Sequence, residues 1–474
     1  MEKKNKRNDD KNTIAVKAGL WYTISNFLIR SLSIISTPIF TRIMSVQEYG
    51  VYSNFSAWLT IISILATMDL HATLNRARFD YKKDIDGYIS TITITSIIIP
   101  SIMYLIVTIF NEYFCKLLNM DMFYINMMFL SIIFSSSINI YQAKQRLNYE
   151  YKKSVFISLV TSVITVLISV FLVLMMSNKL YGRVIGQTIP ATVINIGIAI
   201  YLILNGKKFK IEYMIYAIKI CLPYVPHLLA MNILSQYDRI QINKFCGAES
   251  ASLYSLAYSC ALIINIFLNS MNNAWVPWLG DMLNEKKHEE IKAVSRKYVL
   301  AFAYIAIGLF MVSPEVLNIF GGKKYMEAIY VIPPIIAGAF FQFVYTLYVN
   351  IEMFEKKVWG VAFSTMIAAV LNIILNVIFI PKYGYVAAAY TTLVSYICLC
   401  ALHYIQVMKI NLAKVYDIKF IIMVSFLIIG IMMMSYIMYE NIILRISAII
   451  LYSTIAIVIL NKNKDEIKKI IINK

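Results

Sequence analysis

Long apolar runs recur along the chain and are separated by short polar connections. A run of about 20 mostly apolar residues is long enough to cross a bilayer as a helix. The pattern predicts about fourteen such helices and leaves no room for a sizeable soluble domain between them. They cover residues 17–42, 50–70, 88–111, 120–141, 154–176, 181–204, 217–244, 251–274, 298–320, 327–350, 358–380, 385–408, 417–438 and 441–461.

The composition supports an all-α polytopic membrane protein. Of the 474 residues, 59% are hydrophobic and 15% are charged, whereas soluble domains have about 45–50% and about 25%. Residues 1–11 are highly charged, and the apolar run after them is too long for a signal peptide. We therefore expect that run to be retained as the first membrane span.

The formal net charge of +18 is distributed in alternation along the chain. Of the 44 Lys and Arg residues, 33 lie in the two tails and in every second connection, which predicts cytoplasmic N- and C-termini. A nucleic-acid partner is not expected, because a binding patch would be clustered. Trp275, Trp278 and Trp359 fall at predicted cytoplasmic helix ends and are expected at the membrane interface.

A tandem repeat at an offset of 202 residues divides the chain. Residues 50–53 align with 252–255, and residues 181–182 align with 383–384. Two parallel six-helix lobes with a cavity between them, and transport by alternating access, are typical of such repeats. The predicted parts are an N-lobe at 1–204, a cytoplasmic linker at 205–216, a C-lobe at 217–408, and two further helices with a basic cytoplasmic tail at 409–474.

Polar residues inside predicted helices 1 and 7 recur at intervals of three or four, which places them on one helix face. Polar side chains within a membrane usually face the protein interior or water. Similar Ser and Thr spacing on helix 2 fits either a cavity or helix packing. The predicted substrate-binding residues are Asn26, Arg30, Thr37, Asn232, Gln236, Arg239 and Asn243.

Arg30 is predicted near the middle of the bilayer, where it costs at least about 2.5–3.5 kcal/mol. Its guanidinium can bind a phosphate through two parallel hydrogen bonds. We expect it to hold a diphosphate group; the alternative is a pairing with Asp238 or with carbonyl groups.

Asp238 is the one carboxylate well inside a predicted span. It can form an ion pair with Arg239 or Arg42, or couple transport to an ion; Lys244 is the repeat equivalent of Arg42. Arg76 and Arg78 can contact an anionic headgroup, or they can serve only to set the orientation.

No nucleophile–base pair, glycine-rich phosphate loop or metal-ligand spacing is present among the six Cys, the four His and the other candidate residues. We therefore expect a transporter without catalytic residues, cofactor or metal site.

Three stretches resemble the Wzx-type polysaccharide flippases of the MOP superfamily (multidrug, oligosaccharidyl-lipid and polysaccharide exporters). They are 41–53 with Thr-Arg-Ile-Met-Ser and Glu-Tyr-Gly-Val-Tyr-Ser, 238–258 with Asp-Arg-Ile-Gln-Ile-Asn-Lys-Phe and Tyr-Ser-Leu-Ala-Tyr, and 371–389 with Leu-Asn-Ile-Ile-Leu-Asn and Ile-Pro-Lys-Tyr-Gly. Met44, Ser252 and Ala387 depart from the Leu, Gly and Gly expected of the family.

The resemblance implies a fold like the multidrug exporters, with a cationic central cavity. It implies transfer of undecaprenyl-diphosphate-linked oligosaccharide units to the outer leaflet of a bacterial cytoplasmic membrane, for capsule, exopolysaccharide or O-antigen assembly. Membrane lipids, a polymerase and glycosyltransferases are the implied partners.

Three alternatives fit less well. A MurJ-type lipid II flippase should have several arginines in the first-lobe cavity. A drug/cation antiporter usually has twelve helices and a first-lobe carboxylate. A membrane-embedded glycosyltransferase or polymerase needs an acidic or histidine site at the membrane face.

Overall fold

The computed structural model describes residues 28–29, 32, 34–148 and 150–462. Every regular element in these ranges is helical. The helices are α1 (Ile34–Ile43), α2 (Val46–Thr67), α3 (Leu74–Asp80), α4 (Ile85–Ile109), α5 (Asn111–Leu118), α6 (Met122–Leu147), α7 (Tyr151–Met175), α8 (Lys179–Gly206), α9 (Ile211–Cys221), α10 (Val225–Ala261), α11 (Ile264–Asn284), α12 (His288–Gly321), α13 (Ile332–Phe354), α14 (Val358–Tyr383), α15 (Val386–Lys409), α16 (Ile418–Glu440) and α17 (Ile442–Lys462).

The predicted all-α membrane fold is confirmed. Within the described ranges, eleven helical segments are long and apolar enough to cross a membrane. The predicted spans at 17–42, 251–274 and 441–461 correspond in part to α1, to α11 with the end of α10, and to α17. The count of fourteen is therefore an approximation.

The chain forms two compact units, of which the first ends at Ser252 and the second begins at Leu253. The lobe boundaries proposed from the repeat stay a prediction.

The start of α2 is fixed by a reciprocal capping box. The backbone N–H of Glu48 donates to Ser45 Oγ over 3.1 Å, and the backbone N–H of Ser45 donates to Glu48 Oε2 over 2.7 Å. Two N–H groups that a helix start leaves unpaired are thereby satisfied. The short link between α1 and α2 thus places Tyr49 and Tyr52 on the first turns of α2.

In the first unit, α7 and α8 approach closely because α8 carries glycines at the contact. A Cβ atom at Gly182 would lie 2.7 Å from the carbonyl oxygen of Leu172, and one at Gly186 would lie 2.4 Å from the Cα atom of Ser169. Small residues allow this approach in membrane helices. Arg183 and Gln187, which are four residues apart on α8, face a cavity beside α7.

The predicted connection at 245–250 is a break inside α10 at Gly247, which has φ +86° and ψ 172°. This conformation favours glycine. A second break separates Ala261 from Ile264, and α11 then continues to Asn284, ten residues beyond the predicted end. The polar Asn272 inside α11 accepts a hydrogen bond from Asn350 Nδ2 over 2.8 Å.

Trp275, which is expected at the membrane interface, has a buried side chain. It is 1% exposed, and its ring lies 4.9 Å from that of Trp278 and 4.8 Å from that of Tyr298, measured between centroids. Trp359 is 82% exposed, as an interfacial side chain would be. The extension of α11 carries Trp275 into the packed interior of the second unit.

In the second unit, α13 is almost entirely buried and packs against α12, α15 and α16. The rings of Phe302 and Phe343 stack with centroids 4.3 Å apart. The helix ends at Phe354, four residues beyond the predicted span, so that Glu352 lies inside it and is buried. Glu352, two residues beyond the predicted span, is thus a second buried carboxylate on a membrane helix besides Asp238.

Candidate functional site

A polar cavity of about 410 Å³ lies in the first unit, among α1, α2, α7 and α8. Hydroxyl, amide and guanidinium groups face it alongside a few apolar side chains. Its polar lining consists of Ser36, Thr37, Tyr49, Tyr52, Thr161, Ser162, Thr165, Arg183 and Gln187.

Arg183 is held in this cavity by two aromatic rings. Its guanidinium carbon lies 3.8 Å from the ring centroid of Phe40 and 4.4 Å from that of Tyr52. Nη2 donates to the hydroxyl of Tyr52 over 2.8 Å, and that hydroxyl donates to Gln187 Oε1. Cation–π contact and hydrogen bonding fix the orientation of the guanidinium without neutralising its charge.

The charge of Arg183 is not balanced by a carboxylate within the described ranges. Its Nε atom is buried and has no hydrogen-bond partner there. Arginine carries five N–H donors, and the hydrogen bond to Tyr52 uses one of those of Arg183. The arrangement can therefore bind an anionic group that enters the cavity.

The side of the cavity formed by α7 offers hydrogen-bond acceptors. Thr161 Oγ1 donates to the carbonyl oxygen of Ile157 over 2.7 Å, and Thr165 Oγ1 donates to that of Thr161 over 2.6 Å. Each hydroxyl has used its proton on its own helix and keeps lone pairs for an incoming donor. The cavity thus combines cationic donors with hydroxyl acceptors.

Of the residues predicted on helix 1, Thr37 lines this cavity. Asn26 and Arg30 lie outside the described residues, so the role expected for Arg30 stays a prediction.

The residues predicted on helix 7 lie on α10 and are not among those that line the cavity. Arg239 Nη1 donates to Gln236 Oε1 over 2.6 Å and to the carbonyl oxygen of Ser235 over 2.8 Å. Asn232 Nδ2 donates to the carbonyl oxygen of Leu228 over 2.9 Å, and Asn243 is buried. Their role in substrate binding stays a prediction.

Asp238 is 1% exposed, whereas Arg42 and Lys244 are exposed. A buried carboxylate requires compensation from its surroundings. The choice between ion pairing and coupling for Asp238 stays open. The ammonium of Lys244 lies 5.6 Å from the ring centroid of Phe245.

Arg76 and Arg78 have different surroundings. Arg76 Nε donates to Asp80 Oδ2 over 3.1 Å. Arg78 lines a second cavity of about 360 Å³ together with Lys82, Asp86 and Lys144. Lys144 Nζ donates to Asp86 Oδ1 over 2.6 Å.

Arg183, Tyr52 and Gln187 were not among the residues predicted from the sequence. Arg183 lies near the start of a predicted span, outside the 33 basic residues of the tails and alternate connections, and no role in a cavity was predicted for it. One signal was present: Arg183 and Gln187 are four residues apart and therefore share a helix face. The ring contacts with Phe40 and Tyr52 join residues far apart in sequence and are not readable from a helical pattern.

Two relatives are similar in sequence. Protein 1 of the Lsg locus of Haemophilus influenzae is 20% identical over 284 residues, which cover 57% of this chain and 67% of that protein. The probable low-salt glycan biosynthesis flippase Agl15 of Haloferax volcanii is 24% identical over 173 residues, which cover 36% of this chain and 37% of that protein.

The fold is similar to that of the lipid II flippase MurJ solved in an inward closed conformation. The TM-score is 0.71 at 16% identity, and the match covers 94% of this chain and 99% of that one. At this level of identity the likeness establishes the fold.

Two family models match the chain. The one described as MatE matches residues 223–378, and the one described as polysaccharide biosynthesis protein matches residues 15–283, more than half of the chain. With the resemblance at 41–53 and 238–258 thus confirmed, the chain belongs to the polysaccharide biosynthesis protein family.

Proposed function

We propose that this protein flips lipid-linked oligosaccharides across a membrane. Its substrates are undecaprenyl-diphosphate-linked repeat units, moved by alternating access from the cytoplasmic to the outer leaflet of a bacterial cytoplasmic membrane. Three findings support the proposal: the family membership, the flippase named among the relatives, and the fold shared with a flippase of another lipid-linked precursor.

The observation that carries the proposal is the uncompensated guanidinium of Arg183. A charged side chain within a membrane protein is costly unless water or an opposite charge accompanies it. A diphosphate supplies that opposite charge and accepts paired N–H donors from a guanidinium. We therefore assign binding of the diphosphate to Arg183. The sequence predicts the same role for Arg30.

The remaining lining of the cavity suits the sugar part of the substrate. Sugar hydroxyls can donate to the lone pairs of Thr161 and Thr165 and pair with the amide of Gln187. A sugar-diphosphate headgroup cannot cross hydrocarbon unaided, whereas its lipid tail can stay in the bilayer. A polar cavity of about 410 Å³ beside Arg183 is the kind of shelter that this headgroup needs.

The second cavity suits an earlier step. Arg78, Lys82 and Lys144 lie at the helix ends that the charge pattern predicts to be cytoplasmic. Basic side chains at a membrane surface attract anionic headgroups. We therefore assign the first contact with the headgroup to this cavity. The proposed setting is the assembly of capsule, exopolysaccharide or O-antigen, together with its polymerase and glycosyltransferases.

A deletion strain of the source organism tests the function. Loss of the protein should leave complete repeat units on the polyprenyl carrier in the inner leaflet, and the wild-type gene should restore surface polysaccharide. Accumulation of unflipped peptidoglycan precursor would instead assign the protein to lipid II.

The same strain tests the role of Arg183. Arg183→Ala should reduce surface polysaccharide at least about tenfold at normal protein level, because one charge-assisted contact is worth about 1.5–3 kcal/mol. Arg183→Lys should retain part of the activity, since it keeps the charge and loses the paired donors. Lys116→Ala, which removes an exposed positive charge from α5, is the matched control. Full polysaccharide with Arg183→Ala would contradict the assignment.

A further inference from the structure

The second unit contains an apolar cavity of about 520 Å³ between α13, α15 and α16. The lining residues recur at helical spacing on each helix, so each contributes one face. α15 and α16 meet where the hydroxyls of Tyr390 and Tyr436 lie 2.6 Å apart, and the cavity separates them toward their other ends. Ile422 and Phe426 line the cavity and are 48% and 71% exposed, so it is open to the surroundings of α16.

The lining suits a hydrocarbon chain rather than water. Most of the lining side chains are aliphatic or aromatic, and the hydroxyl of Ser425 already donates to the carbonyl oxygen of Ile421 over 2.8 Å. A water molecule in a cavity needs about two to four polar partners. A flexible chain instead gains dispersion contacts with every wall. Because α16 is a candidate membrane span, such chains lie directly beside the opening.

One polar group in this lining has no partner. The side chain of Tyr348 is 1% exposed, and its hydroxyl forms no hydrogen bond with any described residue. Its ring lies 5.7 Å from that of Tyr404 and 5.6 Å from that of Tyr416, measured between centroids. Tyr348 and the helix end at Phe354 are about 9 Å apart along the axis of α13. A buried hydroxyl needs an acceptor, and the ester carbonyl groups of a phospholipid supply acceptors just below the headgroups.

Basic side chains flank the cavity at the end that the distribution of Lys and Arg predicts to be cytoplasmic. Lys414 and Lys419 lie on either side of Ile418, the lining residue at the start of α16, and both are exposed. The carboxylate between them, that of Asp417, is bound by Arg296. Exposed lysines at a membrane surface attract anionic lipid headgroups. The cavity and its charged rim therefore complement a phospholipid with a negative headgroup.

We propose that this cavity binds an anionic phospholipid from the surrounding leaflet. One acyl chain lies between α15 and α16, the hydroxyl of Tyr348 donates to an ester carbonyl oxygen, and Lys414 and Lys419 contact the phosphate. The bound lipid fills the gap between α15 and α16 and holds α16 to the rest of the unit. It is a structural lipid, distinct from the transported substrate, and its binding does not depend on the flippase assignment.

Native mass spectrometry of the purified full-length chain measures this binding. Dioleoyl phosphatidylglycerol and dioleoyl phosphatidylcholine carry the same acyl chains and differ in headgroup charge. The wild type should bind one phosphatidylglycerol molecule at least about tenfold more tightly than phosphatidylcholine, since each lysine near a membrane surface contributes a factor of about five. Equal affinity for the two lipids would overturn the proposal.

A variant that fills the cavity tests the place of the acyl chain. Ser425→Phe puts a ring into the cavity and should weaken phosphatidylglycerol binding at least about fivefold, the usual effect of overpacking. Ser447→Phe is the matched control, because Ser447 is exposed on α17 and its hydroxyl also donates to a carbonyl oxygen of its own helix. The control should bind as the wild type does. Wild-type affinity in Ser425→Phe would contradict the proposed site.

Two further variants test the polar contacts. Tyr348→Phe keeps the ring and should weaken phosphatidylglycerol binding about twofold to tenfold, the effect of one hydrogen bond, without lowering the melting temperature of the lipid-free protein. The double variant Lys414→Ala and Lys419→Ala should lose the preference for phosphatidylglycerol and bind phosphatidylcholine as before. Lys382→Ala, at the exposed end of α14, should change neither affinity.

These two variants also decide the question if Ser425→Phe does not fold, because unchanged phosphatidylglycerol affinity in either would overturn the proposal. The competing occupant is the isoprenoid tail of a carrier lipid. Tighter binding of undecaprenyl phosphate than of phosphatidylglycerol, lost in Ser425→Phe, would assign the cavity to the carrier instead. Failure of these tests leaves the flippase assignment unaffected, since the deletion strain reports that separately.

Discussion

At the residue scale, Asp84 joins the start of α4 to the segment before α9. Lys210 Nζ and Lys208 Nζ donate to its two carboxylate oxygens over 2.8 Å and 2.9 Å, and the hydroxyl of Tyr213 donates over 3.1 Å. The hydrogen bonds from Lys210 and Lys208 hold the pKa of the Asp84 carboxyl well below its usual range. These three contacts hold residues 208–213 against the start of α4.

We expect Asp84→Asn to lower the melting temperature of the purified protein at neutral pH. A carboxyl whose pKa is lowered by folding contributes stability above its unfolded pKa of about 3.9 and loses it as the pH falls toward the folded value. The difference between wild type and Asp84→Asn should thus be constant from about pH 8 to about pH 5 and shrink below about pH 4.

Asp121→Asn serves as the control, since Asp121 is exposed and forms no side-chain cap. It should show no comparable difference at neutral pH. A gap between wild type and Asp84→Asn that persists unchanged into strong acid would show that these ionic contacts do not stabilise the fold.

Single residues of the candidate site were only partly predictable from the sequence. Thr37 was predicted to line a cavity from the spacing of polar residues on helix 1. That prediction requires only that polar side chains avoid lipid. Arg183 was not, because what distinguishes it from an orienting charge is its contact with Phe40 and Tyr52. Glu352 was missed because the apolar run ends at residue 350, whereas the helix continues to Phe354.

At the element scale, α2 touches the break in α10 without a side chain between them. A Cβ atom at Gly50 would lie 1.7 Å from the carbonyl oxygen of Ala248, the residue after Gly247. Backbone atoms cannot move aside as a flexible side chain can, so position 50 admits only glycine in this packing.

Gly50→Val should destabilise the first unit by about 1–3 kcal/mol or more, the usual cost of overpacking. The measurement is the melting temperature and the amount of protein in the membrane. Gly197→Ala is the matched control, because a Cβ atom there meets nothing within 4 Å and alanine favours the helix of α8. Equal behaviour of the two variants would contradict the close contact.

The helices themselves followed closely from the apolar pattern, since a bilayer imposes length and internal hydrogen bonding on each span. The exception is the stretch around α10 and α11. The break after Ala261 falls within the apolar run 251–274, and the polar Asn272 inside α11 accepts a hydrogen bond from Asn350. Hydropathy cannot register such local compensation.

At the scale of the whole molecule, the distribution of Lys and Arg predicts the orientation of the protein in the membrane. It assigns the connection before α6 to the outer side and the connection before α12 to the cytoplasm. Glu112 on α5 and Glu289 on α12 are exposed representatives of these two connections.

In a cysteine-free background, Glu112→Cys should react with a membrane-impermeant thiol reagent in intact cells. Glu289→Cys should react only after the cells are permeabilised. The six native cysteines must be replaced first, because Cys115 and Cys246 are partly exposed. Labelling of Glu289→Cys in intact cells would reverse the predicted orientation.

The fastening of Lys208 and Lys210 to Asp84 also bears on where the gene can be divided. A cut just after Gly206 would put the carboxylate on one polypeptide and both ammonium groups on the other, so that docking of α9 would rely on co-expressed fragments finding each other. A cut at residues 222–224 keeps these partners on a single fragment. Split versions for reconstitution or labelling are therefore better designed after α9 than before it.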